Sequence, residues 1–107
     1  MRVTWSREAS ENLAEIDFIA RDSLERAVRF VDALIDHAET ILADNPRSGR
    51  VVPEISNSDV RELIYRGYRI VYRFKGNVLE IVTVFEGHRL LRLSESGEDG
   101  GKVDVID

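Results

Sequence analysis

The chain has 107 residues, no Cys, 43% hydrophobic and 33% charged residues, and a formal net charge of −5. That composition fits one small soluble domain with a single core, and it excludes a disulfide scaffold, a thiolate metal site and a disordered chain. No apolar run approaches the ~20 residues that cross a bilayer, and MRVTWSREAS at the start lacks the apolar stretch of a signal peptide, so a cytoplasmic location with no membrane partner is expected.

In chain order, RVTW (2–5) alternates and is β-branched, which predicts a short strand. Ser6 fits a helix N-cap with Glu8 in the first turn, and Ala9, Leu13, Ile16 and Ala20 form one apolar stripe. A second helix is predicted to begin at Asp22, with Glu25 three residues on in a capping-box-like arrangement. Its buried face is read as Leu24, Ala27, Val28, Val31, Leu34, Ile35, Ala38, Ile41 and Leu42. It should stop near Asp44, because Pro46 disfavours helical backbone at Asn45. The short joint between the stripes predicts an antiparallel helical hairpin.

NPRSGRVVPE reads as a loop. Three strands follow, VRELIY (60–65), YRIVYRF (68–74) and VLEIVTVFE (78–86), with Arg66-Gly67 and Gly76-Asn77 as tight two-residue turns. The fold class is α+β: a strand, a helical hairpin and a three-stranded antiparallel meander with the helices on one sheet face. Residues 1–94 form the domain, and 95–107 read as an acidic tail dispensable for folding. An alternative is that VDVID (103–107) folds back and shields the basic part of the sheet.

Charge is uneven: residues 1–59 carry −5, residues 60–93 carry +4 and residues 94–107 carry −4. On the strand 68–74, Tyr68, Ile70, Tyr72 and Phe74 share one face, expected against the helices. Arg69, Val71, Arg73 and Lys75 share the other, expected to lie open, with Arg61 or His88 nearby. Such a face either docks a polyanion or acidic peptide, or is neutralised by cross-strand pairs with Glu62, Glu80 or Glu86. His88, just past Gly87, can act as general acid or base among arginines, or simply be a surface histidine. His37 and Trp5 carry no assigned role, Trp5 reading as a core aromatic. With two His, no Cys and no phosphate loop, neither metal nor cofactor is expected.

Together, TWSREASENLAEI, NPRSGR, VREL, YRIVYR and VFEGHRLL resemble the RelE/ParE superfamily of bacterial toxin–antitoxin toxins, over about residues 2–93. The resemblance implies a growth-arresting toxin held inactive by a cognate antitoxin in a hetero-oligomer, with a helical hairpin on a small antiparallel sheet. RelE-like members cleave mRNA on the ribosome, using basic and His or Tyr side chains on the open sheet face. In that reading Arg69, Arg73 and His88 are the catalytic residues. ParE-like members poison DNA gyrase and have no established catalytic residues. Here the loop before the sheet offers only Arg47 and Arg50, and no Tyr follows Tyr72. The spacing of WSREA, NPRSGR and YRIVYR is closer to ParE. That implies a gyrase-binding surface of Arg61, Arg69, Arg73, His88, Arg89 and Arg92. A third reading is a family member that only binds its antitoxin.

Overall fold

The structure, a computed structural model, describes residues 1–19, 23–94 and 102–106. Strand β1 (Arg2–Trp5) leads into helices α1 (Arg7–Ile19) and α2 (Leu24–Asp44). Strands β2 (Arg50–Val51), β3 (Val60–Tyr65), β4 (Tyr68–Lys75), β5 (Val78–Glu86), β6 (Leu90–Ser94) and β7 (Lys102–Ile106) follow. The main sheet has the order β1-β5-β4-β3-β2. Its β3–β4–β5 part is the antiparallel meander expected from the sequence, while β1 runs parallel to β5.

Local chemistry accounts for the helix ends. The Ser6 hydroxyl accepts from the Ala9 N–H at 3.0 Å and donates to the Val82 carbonyl at 2.7 Å, capping α1 and tying it to the sheet. The cap of α2 is Ser23, whose hydroxyl accepts from the Arg26 N–H, so the cap falls one residue after the predicted Asp22 and the helix begins at Leu24. Asp22 and Ala20 lie outside the described residues. At the other end the Asn45 N–H donates to the Ile41 carbonyl at 2.9 Å, where Pro46 stops the helix.

The main core lies between the helices and one sheet face. Ala9, Leu13, Val31, Leu34, Ala38 and Leu42 meet Ile70, Tyr72, Leu79, Ile81 and Val84. Tyr68 and Phe74 pack at its border, so the aromatic face of β4 is where the alternation put it. The stripe of α2 is narrower than predicted: Leu24 is 65% and Val28 42% exposed. Each helical residue turns about 100°, so Val28 points away from the Ala27–Val31–Leu34 line, and Leu24 occupies the first turn, at the border of the packed stretch. The ladder of β4 and β5 shifts register at Val71/Tyr72, where Val82 is the extra residue. The Asn12 amide oxygen accepts from the Val84 N–H and the Thr83 hydroxyl there, both at 3.0 Å, which fastens α1 to the bulge.

The other sheet face is not open, contrary to the sequence reading. The loop 52–59 folds over it, and Val52, Val60, Val71 and Phe85 form a second core with Ile55 and Val82. Part of the span read as a tail has regular structure. Lys102–Ile106 forms a strand paired antiparallel with β6 from Leu90↔Ile106 to Ser94↔Lys102.

Candidate functional site

The expected basic face resolves into a buried ion cluster. Arg69 is 4% exposed and lies between two carboxylates. Its Nε donates to Glu62 at 2.6 Å, and its two terminal nitrogens grip Glu54 at 2.6 and 2.8 Å. Nη1 also donates to the Arg89 carbonyl at 3.0 Å, and the guanidinium lies 5.1 Å from the Phe85 ring centroid. Glu62, with its side chain fully buried, takes a further bond from Arg50 Nε at 2.7 Å. The Glu54 hydrogen bonds, the largest influence, raise the Arg69 pKa, and Glu62 adds to this against the opposing effect of burial. A guanidinium has five N–H groups, and four are engaged here. The cluster joins β3, β4, the loop 52–59 and the β5–β6 turn.

The other predicted residues are dispersed. Arg61 donates to the backbone carbonyls of Ser58 and Gly49. Arg73 pairs with Glu80 at 3.1 Å. It sits four residues along β4 from Arg69, roughly 13 Å at ~3.3 Å per residue, and each of the two is held by its own carboxylate partners. His88 is on the surface, 74% exposed, with Nδ1 3.3 Å from Glu86. Arg89 enters the cluster through its carbonyl, and Arg92 stands on β6 opposite Asp104 in register. Tyr68 and Tyr72 offer no base at neutral pH, because burial is the main cause that raises both phenols. Among the described residues no group of three metal-ligating side chains exists.

NPRSGR is a structural clamp. The Tyr72 hydroxyl donates to the Pro46 carbonyl at 2.8 Å and accepts from the Gly49 N–H at 3.0 Å. A Cβ on Gly49 would sit 2.5 Å from that hydroxyl and 2.6 Å from the Glu62 carbonyl, so only glycine fits.

A different surface stands out at the end of the molecule where α2 begins and β3 turns into β4. Phe30, Tyr65 and Tyr68 cluster with ring centroids 5.9 and 5.5 Å apart, and His37 lies 4.7 Å from Tyr65. A cleft of about 400 Å³ is lined by Arg26, Arg29, Phe30, Ala33, Tyr65 and Arg66. A second, of about 320 Å³, shares Arg26 and Phe30 and adds Ile16, Ala27 and Tyr68. Arg29 is paired with Glu25 at 3.0 Å on the exposed helix surface. Exposed Leu24 and Val28 on α2 extend the apolar character of this end. Arg66 holds a left-handed backbone, φ 47°, before Gly67 at 84°, the pair that a two-residue I′ turn needs. Asn or Gly would adopt that conformation at lower cost. The sequence signal was present: Arg26, Phe30 and Ala33 fall at i, i+4 and i+7 on α2. It was masked by the denser run of basic residues in β4.

The model of a family described as the ParE toxin of type II toxin-antitoxin system, parDE, matches residues 3–91. Among solved structures the chain is similar to one described as the chromosomal ParDE TA system from P. aeruginosa. The TM-score is 0.66 at 22% identity, over 80% of this chain and 95% of that one. That likeness bears on the fold. No curated protein matches in sequence.

Proposed function

The chain belongs to the ParE toxin family of type II toxin–antitoxin systems, and on that premise we propose that it arrests growth by binding DNA gyrase and is neutralised by a cognate antitoxin. The observation that carries the binding reading is the engagement of Arg69. Ribonucleolytic transfer needs a base, an acid and phosphate-stabilising cations within one small site. Here the central arginine is held between Glu54 and Glu62, Arg73 is paired with Glu80, and His88 stands apart on the surface with Glu86. A poison that acts by occupancy needs only a surface.

The surface that suits this role is the end bearing Arg26, Arg29, Phe30, Tyr65 and Arg66, continued by His88 and Arg89 in the β5–β6 turn, which the Gly87 N–H ties to the Gly67 carbonyl. It joins cations to aromatic rings, the composition that dominates protein interfaces. The antitoxin's role in this reading is to cover the same end with an acidic segment that carries an apolar anchor. Arg61, Arg69 and Arg73 then serve the target surface by holding the sheet and turn in shape.

Purified protein should inhibit gyrase supercoiling and trap cleaved DNA, while mRNA on translating ribosomes stays intact. His88→Gln should leave growth arrest nearly unchanged. Site-specific mRNA cuts that vanish with His88→Gln would replace this reading with the ribosome-dependent nuclease.

A further inference from the structure

At the end of the molecule where α2 begins, two clefts share Arg26 and Phe30. The one of about 400 Å³ also has Arg29, Tyr65 and Arg66 in its wall, and the one of about 320 Å³ has Ile16, Ala27 and Tyr68. Their common wall is aromatic rather than aliphatic. The Phe30 ring centroid lies 5.9 Å from that of Tyr65 and 5.5 Å from that of Tyr68, with the planes tilted by 44° and 54°. Phe30 therefore lies flat on neither neighbour, and all three rings keep part of their surface in solvent although they pack against the core.

The cations here differ from those of the sheet. Arg69 and Arg73 are bonded to Glu54, Glu62 and Glu80, and Arg29 is paired with Glu25. Arg26 and Arg66 are exposed and, among the described residues, take part in no ion pair. Rings and guanidinium forks in one cleft match a ligand that has both a flat ring and a phosphate. Bases stack on aromatic side chains because every base has a π face, and a guanidinium meets phosphate oxygens with two parallel N–H bonds. The larger cleft falls in the ~300–1,000 Å³ range of small-ligand sites. A carboxylate side chain would engage the arginines and leave the rings unused, and an acyl chain would do the reverse. A long nucleic-acid strand would meet a molecule of net charge −5 beyond the cleft.

We infer that the joined clefts form a binding site for a free nucleoside phosphate, with its base on the Phe30, Tyr65 and Tyr68 rings and its phosphate on Arg26 and Arg66. Each part is weak alone, since the rings offer stacking without direction and the two arginines stand in water. Together they hold one ligand at both ends, so the second contact forms at the high effective concentration that the first one sets. Binding rests on the cleft and its side chains alone. Its consequence, competition between the nucleotide and any protein that covers this end, rests on the toxin reading above.

The test titrates the purified full-length chain with ADP, adenosine and inorganic phosphate by calorimetry. ADP should bind at least about tenfold more tightly than adenosine or phosphate. Arg26→Gln with Arg66→Asn removes the phosphate contacts and should weaken ADP about tenfold or more while leaving adenosine unchanged. Phe30→Leu should weaken ADP and adenosine alike. Arg47→Gln removes another exposed arginine that lies over a ring, Phe74 at 4.6 Å, past the far end of α2, and should leave ADP affinity unchanged. Urea titration reports whether each variant is folded. In the wild-type protein, where folding is not in question, backbone amide resonances of Phe30, Ala33, Tyr65 and Arg66 should shift when ADP is added. No saturable ADP binding below about 5 mM, phosphate alone as tight as ADP, an equal loss in Arg47→Gln, or amide shifts confined to other regions would overturn the inference. So would a thymidine oligonucleotide that binds more tightly than ADP, which would assign the cleft to a nucleic-acid strand. None of these readouts contains gyrase or antitoxin, so a failure of the toxin reading leaves the result interpretable.

Discussion

Removing the Arg69 side chain should unfold more than it disarms. Arg69→Ala deletes three hydrogen bonds to carboxylates and one to the Arg89 carbonyl. The carboxylates fare differently. The Glu54 side chain is 21% exposed and can recover water, whereas Glu62 is fully buried and keeps only Arg50. The largest cost is the charge stranded on Glu62, and breaking a buried pair in this way costs about 3–5 kcal/mol. That is a large share of the ~5–15 kcal/mol that holds a domain folded. Urea titration of the purified protein measures it. Adding Glu62→Gln to Arg69→Ala removes the stranded charge and should return about 1–3 kcal/mol of the loss. A loss below ~1 kcal/mol for Arg69→Ala, or a double variant no more stable than the single one, would refute a structural role for the cluster. Loss of growth arrest in Arg69→Ala should accordingly follow loss of folded protein, with no separate effect on target binding.

Three further outcomes follow from the same contacts. Gly49→Ala places a methyl 2.5 Å from the Tyr72 hydroxyl, and should cost about 1–3 kcal/mol or more in urea titration. The raised Tyr72 and Tyr68 phenols mean that the folded state holds these protons more tightly than the unfolded state. Their contribution is therefore complete below the ordinary phenol value of 10.0 and is lost as pH rises above it. Stability should fall above about pH 10, less steeply in Tyr72→Phe, which should also lose about 1–2 kcal/mol at neutral pH by giving up two hydrogen bonds. Arg66→Asn should raise stability by about 0.5–1 kcal/mol by relieving the left-handed turn position, while weakening the antitoxin complex several-fold by calorimetry.

What the sequence made legible was local and periodic. The stripe through Leu13 on α1, the Ala27–Val31–Leu34–Ala38–Leu42 line on α2 and the alternation of Tyr68, Ile70, Tyr72 and Phe74 each repeat at the period of their element. The Arg66-Gly67 and Gly76-Asn77 turns carry their own backbone chemistry. The features that escaped depend on distant partners. The loop 52–59 offers only Val52 and Ile55 as apolar anchors, too few to show a period, so the second core and the closure of the basic face were invisible. Glu54, Glu62 and Arg69 converge only once that loop has folded. β1 beside β5 joins residues more than seventy positions apart. The sequence left docking and cross-strand neutralisation both open for the basic strip for a related reason: composition reports how many cations a segment has, and burial decides which of them meet solvent, here pairing Arg69 with Glu62 and Arg73 with Glu80.

That distinction explains how an acidic chain tolerates a basic strip. Of the cations in Tyr65–Gly76, Arg69 is enclosed by two carboxylates and Arg73 is bonded to Glu80 across the strand pair. Their fields are largely cancelled within a few ångströms, so the +4 of residues 60–93 overstates what a partner meets outside. Arg66 is different. It sits at the tip of a turn, 5.9 Å from the Tyr65 ring, in a conformation that costs free energy for an arginine. An arginine kept at such a position contributes nothing to the turn that Asn would not contribute at lower cost. Its charge adds to that of Arg26 across the same cleft, where Arg29 is paired with Glu25. The cleft thus presents cations on a molecule whose net charge is −5. A small negative partner would be steered to that cleft, and a large polyanion would meet repulsion over most of the remaining surface. Such a field suits an acidic protein segment better than a ribosomal RNA surface, and raising the salt concentration should slow association with the antitoxin in wild type more than in Arg66→Asn.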